Sequence, residues 1–357
     1  MKQNIAKEKF IFKLGRFVRR FFIWIISTVL VLVLCLALLL YLVMYGPSTY
    51  VKELFVVSAK ESSVGGVLAE LYLSDEEIAE IQKKNSTQDT TEITDTSLIH
   101  FETTKISYSS DPDSSNSAAA VDPDGDGIDV YDVTGPSYIG KMMVVYDPSR
   151  VIVGVYNTRF SVNTYGMTLP ELCKKYNAVG GINGGKYDDE AGMGTGGQPE
   201  GVVISEGKLL CGDPNGYYTT YGFTNDNILV VGTMSPNHAL SMGVRDAVSF
   251  GPTLIVNGKP SAVSGASSGL NPRTAIGQRE DGAVLLLVIE GRQSYSIGAS
   301  YSDLIDIMLE YGAVNAANLD GGMSSTMYYN DELIIQSASM ADSRRIPTGF
   351  VVLGTEE

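Results

Sequence analysis

The longest unbroken apolar pattern runs from Phe21 to Tyr45, 25 residues without a charged side chain. As a helix it would extend roughly 37 Å at ~1.5 Å per residue, more than a hydrocarbon core of ~30 Å requires. It also exceeds the ~7–15-residue apolar core of a cleavable signal peptide, and no Ala-x-Ala site follows it. A single membrane-spanning helix over residues 21–45 is the expectation. The next segment, 46–84, reads as a helical neck. Leu68, Leu71 and Tyr72 keep helical spacing, and Ser74 with Glu77 forms a capping box that opens a second helix through Ile78 and Ile81. From Asn85 the pattern fades into Ser, Thr and Asp with few large apolar residues. Such a stretch buries too little surface to order itself, so 85–127 is expected to be a linker.

Residues 128–357 read as one domain. Strand-like alternations or apolar runs recur at Lys141–Tyr146, Val151–Tyr156, Gly201–Ile204, Ile228–Val231, Thr253–Val256, Ala283–Ile289, Leu333–Ile335 and Gly349–Leu353. Most are punctuated by Gly, Pro, Asn or Asp. Two helices stand out. One follows the capping box of Thr168 and Glu171 and runs to about Asn177; the other, about Ser302–Tyr311, aligns Leu304, Ile305, Met308 and Leu309 on one face. Many strands and few helices predict an α+β domain, with the helices packed on a mixed sheet.

Charge divides the chain in two. Residues 1–20 carry a net +6, which leaves −21 for the remainder of a chain whose net charge is −15. Basic residues beside a span resist translocation, so the tail is expected in the cytoplasm and the acidic remainder outside the cell membrane. An acidic exterior also argues against a nucleic-acid partner. Cys173 and Cys211 lie outside the span, and the sequence leaves open whether they pair. With only His100 and His238 present, a His-centred metal site or a Ser-His-Asp triad has little material.

Several motifs invite a chemical reading. Gly180, Gly185 and Lys186 carry P-loop spacing, but Tyr187 stands where Ser or Thr should hold Mg²⁺, and no helical period follows. Gly192, Gly194 and Gly197 mimic a dinucleotide fingerprint, again without a helix after them. Both read as false matches. Asp122–Asp129 resembles the first half of a calcium loop, yet its twelfth position is Val133, so an acidic turn is preferred. The two helices end alike, each followed by a short strand of small residues and a Gly pair. A weak internal repeat would place Asn183 and Asp320 at equivalent strand ends; coincidence among common loop residues explains the same letters.

Across roughly Gly140 to Gly354 the chain resembles the phosphodiester glycosidases. The resemblance rests on INGGKY (182–187), SFGPTLIVNGKP (249–260), NPRTAIGQREDG (271–282), VIEGR (288–292), the helix at 301–311, NLDGGMSST (318–326) and SRRIPTGFVVL (343–353). The anchor and neck are similar to those of membrane-tethered bacterial members. Two departures stand out: Lys186 replaces an aromatic, and Glu290 replaces the usual Asp before Gly-Arg. The resemblance implies hydrolysis of a sugar-1-phosphodiester of the N-acetylglucosamine type, in cell-wall or exopolysaccharide metabolism, with no cofactor required. A divalent cation on carboxylates such as Asp320 is left open.

A glycosyl phosphodiester asks for something to bind phosphate, something to stabilise an oxocarbenium-like centre, and something to manage protons. Asp320 and Glu290 are the candidate catalytic carboxylates, read otherwise as an Asp-Gly turn and a strand-end partner of Arg292. Arg273 is the candidate phosphate fork, since a guanidinium presents two parallel donors, with Arg292 and Arg345 behind it. Asn183, Gly184, Gly185, Asn318, Gly321, Gly322, Ser324 and Ser325 complete the expected binding set, the glycines bringing backbone close to ligand. Lys186 reads as a solvated lysine near the same corner. Two alternatives from other classes are a non-catalytic surface module that binds or assembles polysaccharide and a calcium-dependent adhesin.

Overall fold

The computed structural model describes residues 2–61, 63–87, 92–101, 125–188, 194–266, 268–336 and 344–355. The N-terminal part is helical: α1 (Lys2–Tyr45), α2 (Thr49–Lys60), α3 (Ser63–Glu70) and α4 (Asp75–Lys84). Within α1, Leu14–Tyr45 is long and apolar enough to cross a membrane, and its side chains are almost wholly exposed. The end of α1 is not free of the neck. Met44 is buried with Val56, Val57, Ala69, Leu73, Ile78 and Ile81 in one cluster, and the Tyr45 hydroxyl donates to the Tyr72 carbonyl at 2.6 Å. The Ser74–Glu77 capping box opens α4 as its sequence predicts.

The C-terminal domain begins with β1 (Ile128–Thr134), β2 (Ile139–Val145), β3 (Val151–Val155), α5 (Leu169–Lys175) and β4 (Ala178–Asn183). Next come β5 (Val203–Ser205), β6 (Lys208–Cys211), β7 (Tyr218–Thr224), β8 (Leu229–Met234), α6 (Pro236–Ser241), β9 (Val244–Ser249), β10 (Thr253–Val256) and β11 (Lys259–Pro260). The last elements are β12 (Arg273–Arg279), β13 (Val284–Ile289), α7 (Tyr301–Glu310), β14 (Ala313–Leu319), β15 (Thr326–Tyr329), β16 (Glu332–Gln336) and β17 (Thr348–Leu353). Both helices read from the sequence are present, each behind a capping box.

The strands form three sheets, ordered β1-β2-β13-β12-β14-β10-β11, β16-β15-β4-β17-β3 and β6-β5-β9-β7-β8. The α+β class is as read, but in place of one mixed sheet every pairing within these three is antiparallel. Their inner faces share one core, to which Val288 and Leu286 of the first sheet, Ile182 and Phe350 of the second, and Tyr221 and Phe223 of the third all contribute. Phe223 and Phe350 meet edge-on with centroids 6.2 Å apart. Each sheet then hides its outer face under one helix. The buried Leu304 and Met308 of α7 cover the first, Leu169 and Leu172 of α5 the second, and Ala239 of α6 the third. That double covering explains why β13 is apolar at every position, all six of them buried.

The segment expected to be a linker behaves differently in its described part. Thr94 donates from its backbone to the Val231 carbonyl and accepts the Val231 N–H on its hydroxyl at 2.9 Å, extending the edge at β8. Asp95 N–H reaches Asn257 Oδ1 at 2.7 Å, and Ile99 is buried. Sparse apolar content did not prevent docking, because the domain itself supplies the partners. Of the acidic motif, Asp122–Asp124 lie outside the described residues. Asp126 accepts from the Ile128 N–H and the Tyr329 hydroxyl, and Asp129 accepts from the Tyr131 and Tyr146 hydroxyls, so both carboxylates are engaged within the protein. Cys173 and Cys211 are both free thiols.

Candidate active site

Antiparallel pairing brings the ends of six strands from three sheets to one place. β13 and β14 finish where β12 begins, with Arg273 opposite Ile289 and Thr274 opposite Leu319. β4 finishes where β17 begins, with Asn183 opposite Gly349. β9 ends beside both, since Ser249 O accepts from the Lys186 N–H. A cavity of about 380 Å³ opens at this seam. Asp320, Gly321, Gly322, Met323 and Ser324 line it from the turn after β14, Tyr187 from the chain after β4, and Phe250 from the end of β9. Arg273, Arg292, Tyr301 and Arg344 complete the wall from the domain. Among the described residues, Glu61, at the end of α2, is the one that the neck contributes to it.

Asp320 is the centre of this arrangement. Burial pushes its carboxyl up to about 7, against the opposing pull of the Ser324 hydroxyl, the Gly321 N–H and the Lys186 charge. Tyr187 shares the Ser324 hydroxyl, oxygen to oxygen 2.9 Å, and burial lifts its phenol to about 12. A chain of hydroxyls therefore runs from Tyr187 through Ser324 to Asp320, and near neutral pH its carboxyl member can hold or release a proton. The Arg344 guanidinium lies over the Tyr187 ring, 5.8 Å from its centroid.

Asn183 and Asp320, which stand at the ends of β4 and β14, meet across the seam. Asn183 Nδ2 donates to the Asp320 carbonyl at 2.7 Å, and the Asp320 N–H donates to the Gly184 carbonyl at 3.2 Å. Asn183 is nonetheless wholly buried, its Oδ1 accepting from Thr274 Oγ1 and Thr326 N–H. It brackets two sheets and has no surface to offer a sugar. The same correction applies to Gly184 and Gly185. A Cβ on Gly184 would come within 2.6 Å of Thr348 Oγ1, and one on Gly185 within 2.6 Å of the Ser249 carbonyl. These glycines are required by strand-to-strand contact, not by a ligand. Gly321 is similar, its Cβ position 2.8 Å from the Pro272 carbonyl, whereas Gly322 sits at φ +61 beneath Arg292 and on the cavity.

The remaining expected residues separate cleanly. Arg273 lines the cavity but is spent. Its Nε donates to Ala299 O, Nη1 to Glu61 and the Tyr301 hydroxyl, and Nη2 to the Ser268 and Gly269 carbonyls. Burial opposes its charge; Glu61 and the Tyr301 oxygen outweigh that and hold its pKa above the ordinary arginine value. Arg292 is held by Glu61 O at 3.0 Å and Asn271 Oδ1 at 3.3 Å. Arg345 points away, to Glu171 and the Gly166 carbonyl, and is exposed. Glu290 does not line the cavity; its carboxylate faces the exposed Tyr295, whose hydroxyl it raises. Asn318 and Ser325 are fully buried, Asn318 donating to Gly251 O at 2.7 Å. Lys186 pairs with Glu200 at 2.5 Å on the surface. Among the described residues no three His, Cys, Asp or Glu side chains cluster to hold a metal. The cavity's two carboxylates stand among three guanidiniums, so the donor set suits an anion better than a cation.

Residues 176–353 match the sequence profile of the family described as phosphodiester glycosidase. The C-terminal domain belongs to the phosphodiester glycosidase family. The SPbeta prophage-derived uncharacterized protein YomE of Bacillus subtilis (strain 168) is 30% identical over 173 residues, covering 44% of this chain and 25% of that protein. The chain thus spans about a quarter of the curated relative it matches. Among solved structures, the catalytic domain of zebrafish N-acetylglucosamine-1-phosphodiester alpha-N-acetylglucosaminidase, auto-inhibited by its pro-peptide, aligns with a TM-score of 0.52 at 22% identity. The alignment covers 64% of this chain and 82% of that one, and it shows a shared fold. Sequence reasoning missed Tyr187, Phe250, Tyr301, Met323, Arg344 and Glu61 as members of this cavity. For Arg344 the signal was present in SRRIPTG: extended backbone alternates, so with Arg345 turned to Glu171, its neighbour faces the other way.

Proposed function

We propose that this chain is a membrane-anchored hydrolase that cleaves a sugar-1-phosphodiester outside the cytoplasm, with α1 as a single span and the basic tail inside. The observation that carries the reading is one cavity holding a carboxyl with a pKa of about 7 together with the Arg273, Arg292 and Arg344 guanidiniums. In the reaction, water forms a bond to the anomeric carbon as the bond from that carbon to the phosphate oxygen breaks. The electron pair leaves on the phosphate, which becomes a monoester. Arg292 and Arg344 stabilise that charge, and Arg273, fixed by protein acceptors, adds a constant positive field. A phosphate is a good leaving group, so no second carboxyl is needed to protonate it. Asp320 is then free to take the proton of the attacking water, with Ser324 and Tyr187 keeping it oriented. This role asks for one carboxylate at the reacting centre, which accords with Glu290 lying outside the cavity. An N-acetylglucosamine-type substrate in cell-wall or exopolysaccharide metabolism is the natural setting for an anchored enzyme of this chemistry.

The test is release of free sugar from sugar-1-phosphodiesters by the full-length chain in detergent, with Asp320→Asn as control. Turnover that disappears in the variant supports the reading. No turnover across several sugars from a folded protein refutes it in favour of a non-catalytic polysaccharide-binding protein.

A further inference from the structure

A charge problem arises if the cavity hydrolyses a phosphodiester. The substrate's phosphate carries one negative charge. The product is a phosphomonoester, whose second pKa near 6 gives it about −1.5 to −2 at neutral pH. A wall made of guanidiniums alone would hold the product more tightly than the substrate and stall after each turnover.

The structure places a carboxylate on that wall from an unexpected source. Glu61 ends the neck helix that follows α1 after three residues, and it lies 212 positions before Arg273. Its Oε2 accepts from Arg273 Nη1 at 2.8 Å, the Ser268 hydroxyl donates to its Oε1, and its carbonyl accepts from Arg292. The docking is built, not incidental. Ser58 Oγ accepts the Leu270 N–H at 2.9 Å, and a Cβ on Gly269 would lie 2.3 Å from that oxygen, so only glycine lets the neck approach. Asn85, at the end of α4, accepts the Ala266 N–H in the same loop. Held this way, Glu61 keeps about a third of its side-chain surface open. It shares a cavity of about 380 Å³ with Asp320.

Building on the phosphodiester glycosidase reading above, we infer that Glu61 is a specificity-determining residue of the site: it lets a phosphodiester monoanion bind while disfavouring a phosphomonoester dianion, which speeds product release. The membrane-proximal neck is therefore part of the binding site and not a spacer.

The charged and titratable groups facing Glu61 are Arg273 on β12, Arg292 after β13, Tyr301 on α7 and, across the cavity, Asp320 after β14, Tyr187 after β4 and Arg344 before β17. Only Asp320 titrates with the phosphate, so the test uses full-length Asp320→Asn, which also prevents turnover. Calorimetry measures the Kd of inorganic phosphate and of dimethyl phosphate, a permanent monoanion, at pH 5 and pH 8. Adding Glu61→Gln should tighten phosphate about tenfold more at pH 8 than at pH 5, while any gain for dimethyl phosphate is the same at both pH values. An equal effect of Glu61→Gln on phosphate at the two pH values would overturn the inference, as would a matching pH-dependent gain for dimethyl phosphate. If Glu61→Gln fails to fold, Glu61→Asp, which keeps the charge on a shorter side chain, should give the same pH-dependent gain in smaller measure, and its absence overturns the inference equally. Turnover of the unmodified chain, measured in parallel, shows separately whether the hydrolase reading stands.

Discussion

Replacing Asp320 by Asn should make the protein more stable and less active at once. The carboxyl has a native pKa of about 7 because burial disfavours its charge, whereas the unfolded chain returns it to an ordinary 3.8. Below about pH 4 both states are protonated and Asp320 costs nothing. Between about 4 and 7 the native state keeps a proton that the unfolded state releases, so stability falls as pH rises, and above about 7 the loss is complete. Three pH units correspond to ~4 kcal/mol as an upper limit. Asp320 is only partly enclosed and faces the cavity, which reduces the penalty to about 1–3 kcal/mol. Asparagine removes it. At ~2–4 °C per kcal/mol for a domain of this size, the variant's melting temperature at pH 8 should exceed the parent's by several degrees, and the gap should close at pH 4. Turnover should fall ~10²–10⁴-fold, the range for loss of a general base, and the parent's rate should rise with pH through about 7. Thermal melts and sugar release across pH 4–9 check both halves. A variant no more stable than the parent at pH 8 would show that burial does not raise this carboxyl. A rate that falls as pH rises through 7 would make Asp320 an acid and refute the proposed base.

Three further expectations separate residues that the sequence alone treats as equals. Arg344→Ala should raise KM about tenfold or more, because a charge-assisted contact to phosphate is worth ~1.5–3 kcal/mol; Arg345→Ala, which loses an exposed pair with Glu171, should leave KM unchanged and cost under ~1 kcal/mol of stability. Glu290→Gln should keep kcat within about threefold of the parent, since its carboxylate faces Tyr295 outside the cavity; a loss approaching that expected for Asp320→Asn would return it to the chemistry. Phe350→Ala, at a wholly buried ring packed edge-on against Phe223, should cost ~3–5 kcal/mol in denaturant unfolding without changing the pH dependence of the rate.

What the sequence disclosed and what it withheld follow from the range of the interactions involved. Elements held by local rules were legible: the Thr168 and Ser74 caps, the amphipathic α7, and the apolar β13 all appear where their patterns place them. Strands such as β7 and β9 were not, because Thr219, Thr220, Arg245 and Asp246 interrupt the pattern, and their polar groups find partners only once three sheets close on one another. Arg245 reaches the Val151 carbonyl on another sheet, and Asp246 accepts from Glu206 N–H. Asp320 was singled out by the family resemblance together with its strand of small residues and following glycines, a pattern that by itself reads equally as an Asp-Gly turn. Arg273 and Arg292 of the cavity wall were also named, but Tyr187, Phe250, Tyr301 and Glu61 were not, since they carry no local mark of their destination.

The glycines of the false P-loop match make the distinction concrete. Gly180, Gly185 and Lys186 imitate a phosphate loop, and the protein does gather guanidiniums in the adjoining cavity, yet none of the three lines it. Gly185 is packed against Ser249, and Lys186 is turned to Glu200. A P-loop holds anions through N–H groups at a helix start. Here no helix follows among the described residues, and the arginines that would hold an anion come from β12, from the end of β13 and from the approach to β17. The glycines act one step earlier. Without them the ends of β4, β9 and β17 could not approach, Asn183 could not reach the Asp320 carbonyl, and the carboxyl would lose the enclosure that sets its pKa. A small residue near a site is thus evidence for close backbone packing first, and for a ligand only when a cavity adjoins it, as it does at Gly322 and not at Gly185.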